Sequence, residues 1–202
     1  MAPDSSNPVI RLTGKEPFSH EDVQLGRTVD DFWSWSSSDL LSNALRGMLA
    51  EYIVGVALGC IDHRIRLEWD AFDLKTDDGT TIEVKSTAYL QSWGVTKPSS
   101  RRFSIGETTA WHADTNTYDT TAMRQADVYV FCVHTADDRA VADPLRLEQW
   151  EFYVVATATI NRRLGNQRSI ALSILPQALG VSPVGFDGIA EAVRLEAAQS
   201  GR

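Results

Sequence analysis

Apolar positions along the chain recur at different periods in successive stretches, and each period marks an element. Between 39 and 58, Leu41, Leu45, Met48, Leu49, Tyr52, Ile53 and Val56 recur at spacings of three and four, which predicts a helix with one broad apolar face. Ser36, Ser37 and Ser38 offer its N-cap, Asp39 suits the positive end of its dipole, and Gly59 ends it. Gly47 and Gly55 lower its propensity but allow a neighbouring element to approach closely. From 72 to 84 the period falls to two: Phe72 and Leu74, then Ile82 and Val84, alternate with polar residues. That pattern predicts two strands, joined by the turn residues 76–80 with Asp78-Gly79 supplying positive φ.

Further on, the continuous apolar run at 128–133 predicts a fully buried strand, and 150–155 a second. A short helix is expected at 157–164, ended by Gly165, then a weaker strand at 170–174. A final helix is expected to run to about 198, with Asp187 as N-cap and Glu191 in its first turns. Short strands are expected at 65–67 and 102–105, and most of 94–119 reads as loop. Residues 1–16 are rich in Pro, Ser and Asn and are expected to be poorly ordered at the start. Phe32, Trp33 and Trp35 are expected to pack against the body. With no internal repeat and no linker, 1–202 is read as one domain of the α/β class.

The alternating stretch also carries the chemistry. Asp73 falls on one face of its strand, while Glu83 and Lys85 share a face of the next. Folding the hairpin brings two carboxylates and an ammonium together at the centre of a sheet. Desolvating three charges is costly unless they are paired or hold a metal. Two acidic ligands beside a lysine suit Mg²⁺, which takes a few carboxylates and completes its shell with water and phosphate. Asp70 has the opposite strand parity to Asp73 and is expected to pair with Arg64 or Arg66 instead.

An Asp on one strand followed by Glu83-Val84-Lys85 on the next resembles the PD-(D/E)XK, or restriction-endonuclease-like, nuclease superfamily. No proline precedes Asp73; its neighbour is Phe72. The resemblance implies a mixed β-sheet flanked by α-helices and a Mg²⁺-dependent endonuclease, with Mn²⁺ as a substitute. It would hydrolyse DNA phosphodiesters in a restriction or repair role, often as a homodimer in that family. By the same resemblance Asp73, Glu83 and Glu51, the last from the preceding helix, are metal ligands, and Lys85 acts on water and phosphate charge. Three other readings stand beside it. Glu-x-Lys can be a solvated strand face of an unrelated ligand-binding domain, Glu51 can be a helix charge paired with an arginine, and the fold can bind nucleic acid or a protein without cutting.

Composition narrows this. The chain has 202 residues, 43% of them hydrophobic, and a formal net charge of −8. Such a charge opposes simple DNA binding, whose affinity comes mainly from neutralising phosphates. The acidic excess lies mostly before residue 97, however, and Arg101-Arg102 and Arg162-Arg163 are candidate phosphate contacts. Trp93, Trp111 and Tyr118 could stack on bases but are better read as loop anchors. Cys60 and Cys132 read as small buried hydrophobes, and His20, His63, His112 and His134 as surface or turn residues without ligand spacing. No apolar run approaches the roughly 20 residues of a membrane helix, and the N-terminus lacks a signal-peptide pattern, so cytoplasm is the default.

Overall fold

The structure is a computed structural model, and it describes residues 9–62, 64–66, 71–90, 101–109, 111–112 and 117–199. An antiparallel hairpin of β1 (Pro17–His20) and β2 (Val23–Thr28) opens the chain, turning through Glu21 and Asp22 at φ 48° and 63°. It runs directly into α1 (Val29–Ser37), where Asp31 Oδ2 accepts the Thr28 backbone N–H at 2.8 Å in a capping box. Next comes α2 (Asn43–Leu58), then β3 (Leu74–Lys75), β4 (Thr81–Ala88) and β5 (Arg102–Ser104). The small ladder of β6 (Trp111–His112) and β7 (Thr117–Tyr118) precedes β8 (Val128–His134) and β9 (Trp150–Ala156). The chain finishes with α3 (Thr157–Leu164), β10 (Ser169–Ala171), α4 (Leu175–Leu179) and α5 (Ile189–Gln199).

The central sheet has the order β3-β4-β8-β9, antiparallel at both outer pairs and parallel between β4 and β8. It is therefore a mixed sheet, and β4 is one of its interior strands. The pleat sorts its side chains into two cores. Ile82, Val84, Val128, Val130, Phe152 and Val154 face α2 and α5. Tyr129, Phe131, Val133, Tyr153 and Val155 face the other way, onto Phe103 of β5, Ile160 of α3, Ile170 of β10 and Leu175 of α4. Every residue of β8 is buried, which is why its sequence is an unbroken apolar run. The register of β4 against β8 is fixed at its start: Asp127 Oδ2 accepts from the Thr81 N–H and hydroxyl, each at 2.9 Å.

Several expectations are corrected here. The long helix begins at Asn43 rather than 39, because Ser42 is the residue whose hydroxyl accepts an N–H, that of Leu45 at 3.4 Å. Ser36 and Ser37 instead belong to the last turn of α1. Gly59 does end α2, at φ 64°, and Gly55 is required because a Cβ there would meet the Ile61 side chain at 2.3 Å. Gly47 faces open space, so close approach does not explain it. Phe32, Trp33 and Trp35 do not pack into the body; no residue of α1 is buried. Residues 64–66 form no strand, α4 had no sequence signal, and Asp187 lies within a short 3₁₀ turn, Phe186–Gly188, that precedes the last helix. His134 is neither a surface nor a turn residue: it ends β8, is fully buried, and packs on Trp150 at 5.1 Å between ring centroids. Cys60 and Cys132 are buried and free, as expected. Asp70, His63 and Trp93 lie outside the described residues, and the side chains of Trp111 and His112 are not described.

Candidate active site

Asp73 sits immediately before β3, and its backbone N–H donates to the Ile82 carbonyl at 3.0 Å, continuing the ladder one step beyond the strand. Because Leu74 pairs with Ile82, Asp73 comes level with Glu83. The 76–80 turn delivers that register: the Thr76 N–H bonds the Thr80 carbonyl and the Gly79 N–H the Thr76 carbonyl, both at 3.0 Å, with Gly79 at φ 90°. Asp73 Oδ2 then accepts the Val84 N–H at 2.7 Å, which locks the carboxyl against β4. On β4 itself, the Lys85 ammonium is in direct contact with Glu83 Oε1, and both side chains are largely covered. The period-two argument thus places Asp73, Glu83 and Lys85 in one neighbourhood.

The electrostatics follow from this arrangement. Asp73 has its pKa raised to about 6, first by burial and next by the charge of Glu83. The Val84 N–H pulls it down, Glu51 pushes it up again, and Lys85 lowers it slightly. Two carboxylates held together out of water disfavour each other's ionisation, and the more deeply buried one retains its proton longer. Tyr129, beside Glu83 in the β4–β8 register, has its phenol pushed well above the usual range by burial, then by Glu83. It therefore stays a neutral hydroxyl at any physiological pH. Nothing in the apolar run 128–133 distinguished Tyr129; only the parallel register with β4, a non-local fact, reveals its neighbourhood.

Glu51 arrives from α2, which packs on the opposite face of the sheet. Its carboxylate is held by Arg66 in a two-pronged ion pair, with Nη2 to Oε1 at 2.9 Å. Glu51 and Asp73 still share the wall of one cleft of about 670 Å³, together with Met48, Tyr52, Arg66 and Phe72. Arg64 pairs with Asp77 at 3.1 Å. Among the described residues no three or more His, Cys, Asp or Glu side chains converge as a metal cluster. The donor set at Asp73 and Glu83 is nevertheless all carboxylate oxygen, partly desolvated and short of positive charge. That set fits a hard divalent cation that keeps several waters.

The arginine doublets lie on the Glu83 and Lys85 side of the sheet, on elements packed against Tyr129 and Phe131. Arg101 stacks over the Tyr89 ring at 3.9 Å. Arg102 is exposed and donates to Ser169 Oγ at 2.8 and 3.2 Å across the β5–β10 pair. Arg162 and Arg163 occupy the last turn of α3, where cations suit the helix dipole. They bond Thr159 Oγ1 at 3.2 Å and the Ala178 carbonyl at 3.3 Å. Each has a local partner, and each keeps an exposed face.

A mixed α/β fold that brings Asp73, beside the edge strand, level with Glu83 and Lys85 of an interior strand, with arginines on the same side, makes a candidate hydrolytic centre for a phosphate-bearing substrate. Comparison with known families adds the class. The sequence model for bacteriophage T4 endonuclease IV matches residues 21–174, and the chain belongs to that family of endonucleases. The match spans α2, the Asp73 hairpin, β8, β9 and both arginine doublets. No curated protein matches the sequence significantly. No helix among the described residues is long and apolar enough to cross a membrane.

Proposed function

We propose that this chain is a metal-dependent endodeoxyribonuclease of the PD-(D/E)XK type, with Asp73, Glu83 and Lys85 as its catalytic group. The observation that carries the reading is the partly buried Asp73–Glu83 pair on adjacent strands with Lys85 beside it, in a chain of an endonuclease family. Asp73 and Glu83 would hold Mg²⁺ or Mn²⁺, which when bound polarises the scissile phosphate and acidifies a water. The Val84 N–H keeps the Asp73 carboxyl from rotating away, and that preorganisation is retained between turnovers. Lys85 exchanges its contact with Glu83 for the phosphate oxygens, and its ammonium offsets the charge that develops on them. Glu51 is held back by Arg66, so it orients a water rather than acting as a primary ligand. Arg101, Arg102, Arg162 and Arg163 approach the phosphates flanking the cut.

The test is incubation of plasmid, single-stranded DNA and RNA with the protein in Mg²⁺, in Mn²⁺ and in EDTA. Cleavage of DNA in either metal, absent in EDTA and absent for Lys85→Ala, is the expected result. A wild-type protein that binds DNA yet leaves it intact in both metals would overturn the catalytic reading in favour of a binding module.

A further inference from the structure

A fixed corner turns the chain just before β1. The Glu16 carboxylate accepts the Thr13 and Gly14 N–H groups at 2.9 and 3.0 Å and the Thr13 hydroxyl at 2.8 Å. The Gly14 carbonyl accepts the Asp30 N–H at 2.9 Å. Gly14 is buried at φ 92°, and a Cβ there would meet Asp30 Oδ1 at 2.0 Å, so only glycine fits the corner. From it, residues 9–13 are led along the Asp73 cleft. Val9 and Arg11 line that cleft together with Tyr52, Phe72, Asp73 and Lys75. The same segment walls a second hollow of about 670 Å³ with Trp33 and Arg64, and Arg11 and Arg64 line both.

The cations of this groove are not all committed. Arg66 is taken by Glu51, and Arg64 pairs with Asp77, a carboxylate 90% exposed. An exposed pair of that kind exchanges readily for another partner. Arg11 and Lys75 are exposed and make no ion pair among the described residues. Beside them the groove is apolar: Met48 and Tyr52, one turn apart on α2, are 40% and 59% exposed, and Phe72 is half-buried. Unpaired cations next to flat apolar side chains suit a ligand that is anionic along one edge and apolar along the other. A nucleic-acid strand has that form, with phosphates for the cations and sugars and bases for the aromatic rings. A small anion or an acidic peptide would leave Tyr52 and Phe72 without a role.

We propose that Arg11, Lys75 and Arg64 hold the phosphates of DNA on the α2 side of Asp73. The arginine doublets lie on the other side of the sheet, so the substrate crosses the β3 edge between the two sets of cations. The proposal rests on the reading of the chain as a DNA nuclease and adds the path of its substrate.

Filter binding of a labelled DNA oligonucleotide and its duplex, titrated with salt in EDTA so that no cut is made, tests it. Arg11→Ala with Lys75→Ala should lower the slope of log K against log salt by about 2, and affinity at about 0.1 M salt by 10-fold or more. Arg11→Lys should bind as wild type does, and Tyr52→Ala should lose affinity with its slope unchanged. Arg194→Ala is the control for net charge, because α5 bonds the end of the opposite edge strand, β9, through Glu196. In Mg²⁺ the double variant should raise KM and keep kcat, as loss of uniform binding does. A double variant that binds and cleaves as wild type does would overturn the path and leave the nuclease reading standing. An equal loss in Arg194→Ala, or a wild type that binds no DNA, would also overturn the path. A wild type that binds through Arg11 and Lys75 yet cuts nothing in Mg²⁺ or Mn²⁺ would support the path and overturn the nuclease reading instead.

Discussion

Replacing Asp73 by Asn should make the metal-free protein more stable at neutral pH while destroying its function. The Asp73 pKa is raised from the ordinary carboxyl value of 3.8 to about 6, first by burial and second by the Glu83 charge. The sign follows from proton linkage. The folded state binds this proton more tightly than the unfolded state, so the associated stability is full below about pH 4 and is lost as pH rises through about 6. Two pH units at ~1.4 kcal/mol each make the cost of ionising Asp73 about 3 kcal/mol above pH 7. Asn has the same shape, keeps an oxygen to accept the Val84 N–H, and carries no charge to desolvate. For a chain of this size the gain corresponds to a melting point higher by about 6–12 °C.

Thermal melts in EDTA from pH 4 to 8 read this directly. Asp73→Asn should match wild type at pH 4 and diverge upward as pH rises, with the gap complete above about pH 7. Adding Mg²⁺ should narrow the gap from the wild-type side, since a ligand that binds only the folded state raises its stability. An Asn variant that is less stable than wild type at pH 8, or that gains equally at pH 4 and 8, would refute the electrostatic account of the site.

Other expectations are sharper on activity. Lys85→Ala should abolish cleavage yet leave Mg²⁺ affinity, measured by calorimetry, within a few-fold. Glu83→Gln should lose metal affinity and cleavage together, whereas Glu51→Gln should reduce turnover less, because Arg66 already holds that carboxylate. Arg101→Ala with Arg102→Ala should weaken DNA binding and lower the slope of log K against log salt by about 2 in filter-binding titrations, one phosphate contact per arginine. Asp127→Ala, which removes both bonds to Thr81, should destabilise the chain by about 2 kcal/mol in urea unfolding without touching metal affinity.

What the sequence made legible was local. The Asp73 hairpin depends on a period of two and a five-residue turn, both written within about fifteen residues, so face and register could be read together. The buried strand at 128–133 was equally plain, because a strand covered on both faces must be apolar throughout. The start of α2 was not, since four serines between 36 and 42 are each competent caps. The choice of Ser42 is set by where the helix meets the sheet. Residues 17–37 failed for a different reason: aromatic residues predict burial, and here they are exposed. His134 failed in the opposite sense, as a polar residue at the end of an apolar run that a neighbouring Trp150 covers. The placement of Tyr129 beside Glu83, and of the arginine doublets on the Lys85 side, comes from pairing across more than forty residues and leaves no local trace.

The charge pattern within the site explains why an acidic chain can still act on a polyanion. Of the three carboxylates of the candidate site, Glu51 is neutralised by Arg66 and Glu83 by Lys85. Asp73 makes no ion pair among the described residues and has a backbone N–H alone. The local deficit of positive charge is therefore about one unit and is centred on Asp73, where it adds to burial in raising the carboxyl's pKa. A divalent cation placed there would overcompensate that deficit, and Lys85, released from Glu83, would add a further charge facing the phosphate. On the proposed reading, the net charge of −8 matters little at the point of contact. Its excess sits in the N-terminal arm and the carboxylates proposed to hold the metal, and on that reading the surface presented to substrate would become positive only once the ion is bound. DNA affinity should then rise with Mg²⁺ in wild type and not in Asp73→Asn. Equal affinity in EDTA and Mg²⁺ would show that the arginines alone carry binding.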